Sequence, residues 1–290
     1  MSGMSDIHKS PLRYPGGKNC IYTFMKSLLE DNDLVGVDYA EPYAGGAGLA
    51  LRLLMNNVVR NIYINDYDSS IYAFWYTVLH NPDELCSWIE SVNINIRNWE
   101  YYKEVQRNRE HVDCQELAKS TLFLNRTNVS GVLSGGPIGG MNQTGKYKID
   151  VRFNKSDLIN RIHNISLVAN RIILSRQDGI DFISELDAGN DRKFIYLDPP
   201  YYKKGSFLYM NAFKDDNHRD LSERVVRLNN NWLVSYDNQR FILDLYQDNP
   251  RILYKLSQCT SNRVGDEVLI FDCRLLFDHS IQHLNSPQSI

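Results

Sequence analysis

Long apolar runs are missing from this sequence of 290 residues. Val268–Phe271 is typical of the short ones present, far below the ~20 residues that a membrane-spanning helix needs. The stretch from Met1 to Lys9 has no apolar segment behind its charges, so no export signal is expected there and a cytoplasmic setting is. Cysteine is sparse. Cys20, Cys86, Cys114, Cys259 and Cys273 are scattered, with no Cys-x-x-Cys pair and no histidine at zinc-ligand spacing, which argues against a disulfide frame and a metal site. An excess of positive charge is also lacking. The 32 basic and 35 acidic residues leave a net charge of -3, which excludes a chain that coats a polyanion over its whole surface.

What is there is uneven. Hydrophobic residues make up 43% of the chain, enough for one large core, or for one core carrying an inserted lobe. Between Lys119 and Arg176 stand nine basic residues against two acidic ones, Asp150 and Asp157. A solvated helix face is the ordinary reading of a charge run, but so lopsided an excess in a net-acidic chain favours a nucleic-acid face.

The opening Leu12-Arg13-Tyr14-Pro15-Gly16-Gly17-Lys18 is a glycine turn feeding a helix-like run from Ile21 to Leu29. A strand signal at Val37–Ala40 follows, then the turn Glu41-Pro42-Tyr43-Ala44-Gly45-Gly46-Ala47-Gly48 and a helix from Leu49 to Met55. A strand at Asn61–Ile64 runs into Asn65-Asp66, and a helix extends from Ser69 to Leu79. Strand, glycine turn, helix, strand, acid is the layout of a nucleotide-binding α/β half. From Asn81 to about Ser166 the alternation stops: Asp83–Val92 and Cys114–Leu124 have helical periodicity, and Asn128–Gly145 is rich in Gly, Ser and Asn. Strands resume at Arg171–Leu174, Phe194–Leu197, Trp232–Ser235, Ile252–Leu256 and Glu267–Cys273, with helices near Phe182, Leu221–Leu228 and Phe241–Tyr246. The expectation is an α/β domain formed by residues 1–80 and 167–290, interrupted by a mainly helical, basic lobe over residues 81–166.

Asp198-Pro199-Pro200-Tyr201 follows directly on the buried-type strand Phe194–Leu197, at the sheet edge where open α/β folds bind ligands. The composition suits an attack by a weakly nucleophilic, ring-conjugated amine. A carboxylate and a backbone carbonyl held in direction by prolines can each accept one amine hydrogen and localise the lone pair. An aromatic next to them can stack on a base taken out of the duplex. A strand-ending turn without chemistry is the plain alternative, since Asp and Pro are favoured turn formers.

Together, Asp198-Pro199-Pro200-Tyr201, the Tyr14–Lys18 loop and the Glu41–Gly46 turn resemble the Dam-type, or alpha-class, DNA adenine-N6 methyltransferases, over nearly the whole span from Pro11 to about Phe271. The resemblance implies a seven-stranded α/β methyltransferase sheet, S-adenosylmethionine as cofactor and double-stranded DNA as partner, in a protein of bacterial or phage origin that needs no metal and no obligate protein partner. It leaves room for a cognate restriction enzyme. It implies that Tyr14, Lys18, Glu41, Tyr43, Gly45 and Gly46 help hold the cofactor, with Asp198 beside it. Asp66 would accept from the ribose hydroxyls and Asp178 would meet the adenine amine of the cofactor. Asp66 read alone could equally cap the following helix. Asp198, Pro199, Pro200 and Tyr201 would form the catalytic strip. Arg126, Lys146, Lys148 and Arg152 are the expected DNA contacts, mainly to phosphate. Phe213 and His218-Arg219-Asp220-Leu221 resemble a further family segment, and Phe207 and Tyr209 are candidates to enclose the flipped base. The lobe departs from the GATC-specific members, so that specificity is not carried over. Rival readings are methylation of RNA adenine, of a protein glutamine amide or of cytosine N4, and a catalytically inactive DNA-binding relative.

Overall fold

The structure is a computed structural model and describes residues 10–14, 16–203, 213–257 and 264–290. Its centre is a sheet whose inner strands are short and almost entirely buried. β1 (Asp38–Glu41), β2 (Ile62–Asn65), β3 (Ile172–Ser175), β4 (Lys193–Leu197) and β5 (Asn231–Asp237) run parallel, while β6 (Arg251–Ser257) and β7 (Val264–Phe271) form an antiparallel pair. The order is β3-β2-β1-β4-β5-β7-β6-β8, with β7 inserted antiparallel next to β5. The expected seven strands gain an eighth, the two-residue β8 (Gln288–Ser289), which pairs with the outer edge of β6.

Side chains alternate across these strands and therefore build two cores, one on each face. Tyr39, Phe194, Tyr196, Leu233, Leu269, Phe271 and Tyr254 lie in one cluster. Ala40, Ile195, Leu197, Trp232, Val234, Val268 and Ile270 lie in the other. The polar residues Glu41, Asp198 and Ser235 continue the first register at the C-terminal ends of their strands, where the sheet runs out of core to bury.

The helices are α1 (Tyr22–Asp31), α2 (Gly48–Met55), α3 (Ser69–His80), α4 (Pro82–Ser91), α5 (Ile96–Arg107), α6 (Cys114–Thr127), α7 (Lys155–Ser166) and α8 (Gly179–Ala188), followed by α9 (Asp215–Val225) after β4 and α10 (Arg240–Leu245) after β5. Side-chain caps start several of them: Asp68 accepts from Ser70 N at α3, Asp113 from Glu116 N at α6 and Asn154 from Asp157 N at α7. Residues 81–166 hold four helices, α4 to α7, of which α5 and α7 are additional to those expected there, and the stretch between α6 and α7 has only a short 3-10 turn at Val129–Gly131. They form no core of their own. α6 lies against α3 and α5, α7 against α4 and α3, and Leu85, Trp99, Tyr102, Phe123, Phe153 and Leu158 belong to the same apolar cluster as the sheet face. Among the described residues no helix is long and apolar enough to cross a membrane.

Candidate active site

A cleft of about 640 Å³ opens at the C-terminal ends of β1, β2 and β4. Tyr14, Lys18, Glu41, Tyr43, Gly46, Asp66, Asp178, Asp198 and Pro200 all line it, although they are spread over 187 positions of the sequence, from Tyr14 to Pro200. Val132, Leu133, Ser134, Phe213 and Asn217 add to its walls.

The glycine turn shapes one side. Gly45 has φ +46°, its N–H donates to Asp66 Oδ2 at 2.8 Å, and a Cβ there would stand 2.7 Å from the Tyr14 ring, so only glycine allows the aromatic loop to lie on the turn. Asp66 accepts a second backbone hydrogen bond, from Asp68 N at 3.0 Å, while Asp68 itself caps α3. The reading of Asp66 as a helix cap is thereby transferred to Asp68. Burial, helped by the nearby Asp68 charge, pushes the Asp66 carboxyl up to about 7. Glu41 accepts from Tyr39 OH at 3.0 Å and Ala50 N at 3.1 Å, and burial pushes it up to about 8, with the charge of Asp198 adding to the rise. Asp178 caps α8 through Ile180 N at 2.8 Å. Beside it the buried hydroxyl of Tyr43 has no hydrogen-bond partner among the described residues.

The strip from Asp198 to Tyr201 closes the other side. Lys18 Nζ donates to both Asp198 oxygens, at 2.9 and 2.8 Å, and to Tyr201 OH at 2.7 Å. Lys18 thus lines the cleft, but its ammonium is directed at the strip. Ser235 Oγ donates to Asp198 Oδ1 at 2.7 Å and shares a 2.8 Å hydrogen bond with Tyr196 OH. Pro199 is buried. Tyr201 corrects an expectation: its ring is only 7% exposed, packed in the second core, and in this conformation it offers its hydroxyl to Lys18 and presents no face for a base. Asp237 accepts from Tyr202 N and Lys203 N, both at 3.0 Å, and so fixes the chain as it leaves the strip. Phe207 and Tyr209 lie outside the described residues. His218 is buried with Nδ1 2.9 Å from Tyr236 OH and is pushed down to about 4 by burial, which keeps it neutral near pH 7.

Of the expected DNA contacts, Lys146, Lys148 and Arg152 are exposed in the non-helical stretch between α6 and α7. Arg126 is not. It is 7% exposed, its Nε donates to Pro11 O at 2.6 Å, and burial, then the charges of Arg161 and Arg13, holds it below the ordinary arginine value. In this structure Arg126 straps the loop before Tyr14. Asn125 does the same more fully: it accepts from Arg13 N at 2.7 Å and donates to Arg13 O at 2.7 Å and Gly131 O at 3.0 Å. Ser235, Glu267, Asp237 and this use of Asn125 were not expected from the sequence. No short motif marks the first three, which come together only when β5 and β7 pair.

The cleft has the size of a small-molecule site. Its five acidic side chains, Glu41, Asp66, Asp68, Asp178 and Asp198, its left-handed glycine and the unpartnered Tyr43 hydroxyl fit a cationic ligand that also carries hydroxyl groups, as S-adenosylmethionine does.

Comparison with known proteins gives one extended match. Residues 14–260 match the family described as D12 class N6 adenine-specific DNA methyltransferase. No curated protein matches the chain in sequence. Among solved structures, a protein of Pyrococcus horikoshii provisionally described as an RNA methyltransferase is similar at 11% identity and a TM-score of 0.40, over 90% of this chain and 84% of its own. The rRNA methyltransferase aviRa of Streptomyces viridochromogenes is similar at 11% identity and a TM-score of 0.38, over 93% and 90%. A protein of Listeria monocytogenes provisionally described as a class I S-adenosylmethionine-dependent methyltransferase is similar at 13% identity and a TM-score of 0.37, over 93% and 63%. Similarity at this level decides nothing about substrate.

Proposed function

The chain belongs to the D12 class N6 adenine-specific DNA methyltransferases, enzymes that take their methyl group from S-adenosylmethionine, and from that premise we propose that it methylates the N6 amine of an adenine flipped out of duplex DNA at a specific sequence. The observation that carries the reading is the setting of Asp198. Its carboxylate sits at the C-terminal end of β4, on the wall of the cleft, and is held by Lys18 and Ser235.

Tyr14, Glu41, Tyr43, Gly45, Gly46, Asp66 and Asp178 are the residues that would hold the cofactor, which supplies a methyl group already activated on a sulfonium and so calls for no metal. Asp198 accepts one hydrogen of the adenine amine, and the carbonyl of Pro199 accepts the other. The nitrogen lone pair then leaves conjugation with the ring and points at the methyl. Ser235 keeps Oδ1 of Asp198 occupied and fixes the carboxylate plane, so the remaining lone pairs have a set direction. The cofactor, when bound, would supply the methyl by breaking its S–C bond, the electron pair staying on sulfur to give the neutral thioether S-adenosylhomocysteine. Asp198 would stabilise the positive charge growing on N6 and take up the released amine proton for passage to solvent, leaving neutral N6-methyladenine. We place DNA recognition on residues 81–166, with Lys146, Lys148 and Arg152 meeting phosphates and displacing condensed counterions.

The test is transfer of labelled methyl groups from S-adenosylmethionine to methyl-free duplex DNA, single-stranded DNA and RNA, with Asp198→Ala beside the native chain. Duplex DNA is the expected acceptor, and Asp198→Ala is expected to lower the rate by on the order of a thousandfold or more while DNA affinity stays within about twofold. Unchanged turnover in the variant would remove Asp198 from the mechanism. Transfer to RNA alone would replace DNA as the substrate.

A further inference from the structure

Glu267 is a buried glutamate, 1% exposed, that the mechanism above does not use. It stands near the start of β7, and because β7 runs antiparallel to β5 its start lies at the sheet edge where the parallel strands end. The register sets Glu267 opposite Asp237 of β5 and opposite Tyr254 of β6. Tyr254 OH donates to Glu267 Oε2 at 3.0 Å, and the same oxygen lies 3.6 Å from Lys18 Nζ.

Lys18 is therefore ringed by acceptors. Both oxygens of Asp198, the Tyr201 hydroxyl and Gly16 O at 2.9 Å are hydrogen-bonded to it, Glu267 stands slightly farther off, and Glu41 and Asp198 are in electrostatic contact across the same space. Burial differs sharply among the three charged side chains: Lys18 is 3% exposed, Glu267 2% and Asp198 22%. Asp198 is the carboxylate within reach of an incoming amine. Once the amine takes one of its lone pairs, Lys18 loses part of its grip, and losing an anion is strongly unfavourable for a buried ammonium unless another is at hand.

We propose that Glu267 is a positioning residue that acts through Lys18. It is the second anionic seat of the ammonium, so that Asp198 can turn an oxygen to the adenine amine without leaving Lys18 unpaired. The assignment rests on Asp198 being the acceptor of that amine. What matters is the charge of Glu267. Tyr254 orients it, and packing alone would be served as well by glutamine.

Glu267→Gln keeps the shape and removes the charge, whereas Glu267→Asp keeps the charge on a shorter arm. The measurement is the single-turnover rate of adenine methylation, with enzyme concentration set by titrating cofactor-binding sites, alongside the affinities for S-adenosylmethionine and duplex DNA. Glu267→Gln is expected to slow the turnover on the order of 10- to 100-fold, the scale of a misplaced catalytic group, with both affinities within about twofold of native. Glu267→Asp is expected to retain more activity than Glu267→Gln. Tyr254→Phe, which leaves the charge in place but removes the hydroxyl that orients it, is expected to slow the turnover less than Glu267→Gln does. A Gln variant as fast as the Asp variant, or a Tyr254→Phe loss as deep as that of Gln, would make the contact one of packing and overturn the proposal. Adenine methylation absent from the native chain would overturn the reading of Asp198 and this assignment together; native activity with no difference among the variants would overturn this assignment alone.

Discussion

Two cleft carboxylates, Glu41 and Asp66, are pushed up to about 8 and about 7 by burial, and this has opposite consequences for the free and the loaded protein. In the free protein each folded value lies above its unfolded one. The stability they contribute is present below about pH 4 and is lost as pH rises through about 7 to 8. A cationic ligand favours the ionised carboxylates, so affinity for S-adenosylmethionine rises with pH over the same window. Glu41→Gln removes the upper half. Titration calorimetry between pH 6.5 and 8.5 is expected to give a native affinity that gains about tenfold over the variant's, since each pH unit below a pKa is worth about a factor of ten. Parallel pH profiles for the two proteins would show that Glu41 does not face the cofactor. At this scale much of the site was legible. Tyr14, Lys18, Glu41, Tyr43, Asp66, Asp178 and Asp198 stand in short motifs, most with glycine or proline neighbours, and all of them line one cleft. Arg126 was misjudged because composition counts a charge without its burial. Glu267 was missed because nothing local separates it from any other strand residue.

At the scale of elements, α6 carries the loop that precedes Lys18. Asn125, near its C-terminal end and 2% exposed, replaces the missing strand partner of that loop by bonding both polar groups of Arg13, and it also takes Gly131 O. Gly131 has φ +77°, and a Cβ there would stand 2.6 Å from Arg13 O, so the glycine is what lets the two loops touch. Asn125→Ala leaves three backbone groups to find new partners. It is expected to cost about 2–3 kcal/mol in urea unfolding and to weaken cofactor binding, because Tyr14 and Lys18 follow directly on the freed segment. Full stability, or native cofactor affinity in a folded variant, would contradict the role. The elements themselves were largely legible, because strands with buried-type patterns and helices with clear periods advertise themselves. α5 and α7 were not, since polar and charged residues outnumber the apolar ones in both and only three side chains of each are buried. The antiparallel insertion of β7 is also invisible along the chain, since only the pairing with β5 defines it.

For the whole molecule, the division into a catalytic domain and a lobe describes sequence order better than it describes packing. One apolar cluster runs from the sheet through α3 into α4, α5, α6 and α7. The helical segment and the sheet are therefore expected to unfold as one unit, in a single calorimetric transition in which the calorimetric and van't Hoff enthalpies agree. Two well-separated transitions would mean that the lobe stands on its own. Charge at this scale bears on the proposed function as well, because a net-acidic molecule whose basic excess is concentrated in one segment is expected to approach a polyanion such as the proposed DNA substrate preferentially in one orientation. The most direct measurement is to incubate methyl-free genomic DNA with the pure protein and S-adenosylmethionine, then to sequence it by a method that detects N6-methyladenine at single-base resolution. The account predicts that adenine in one short motif becomes methylated with the native chain and stays unmethylated with Asp198→Ala. Native protein that binds the cofactor and leaves every adenine unmodified would contradict it.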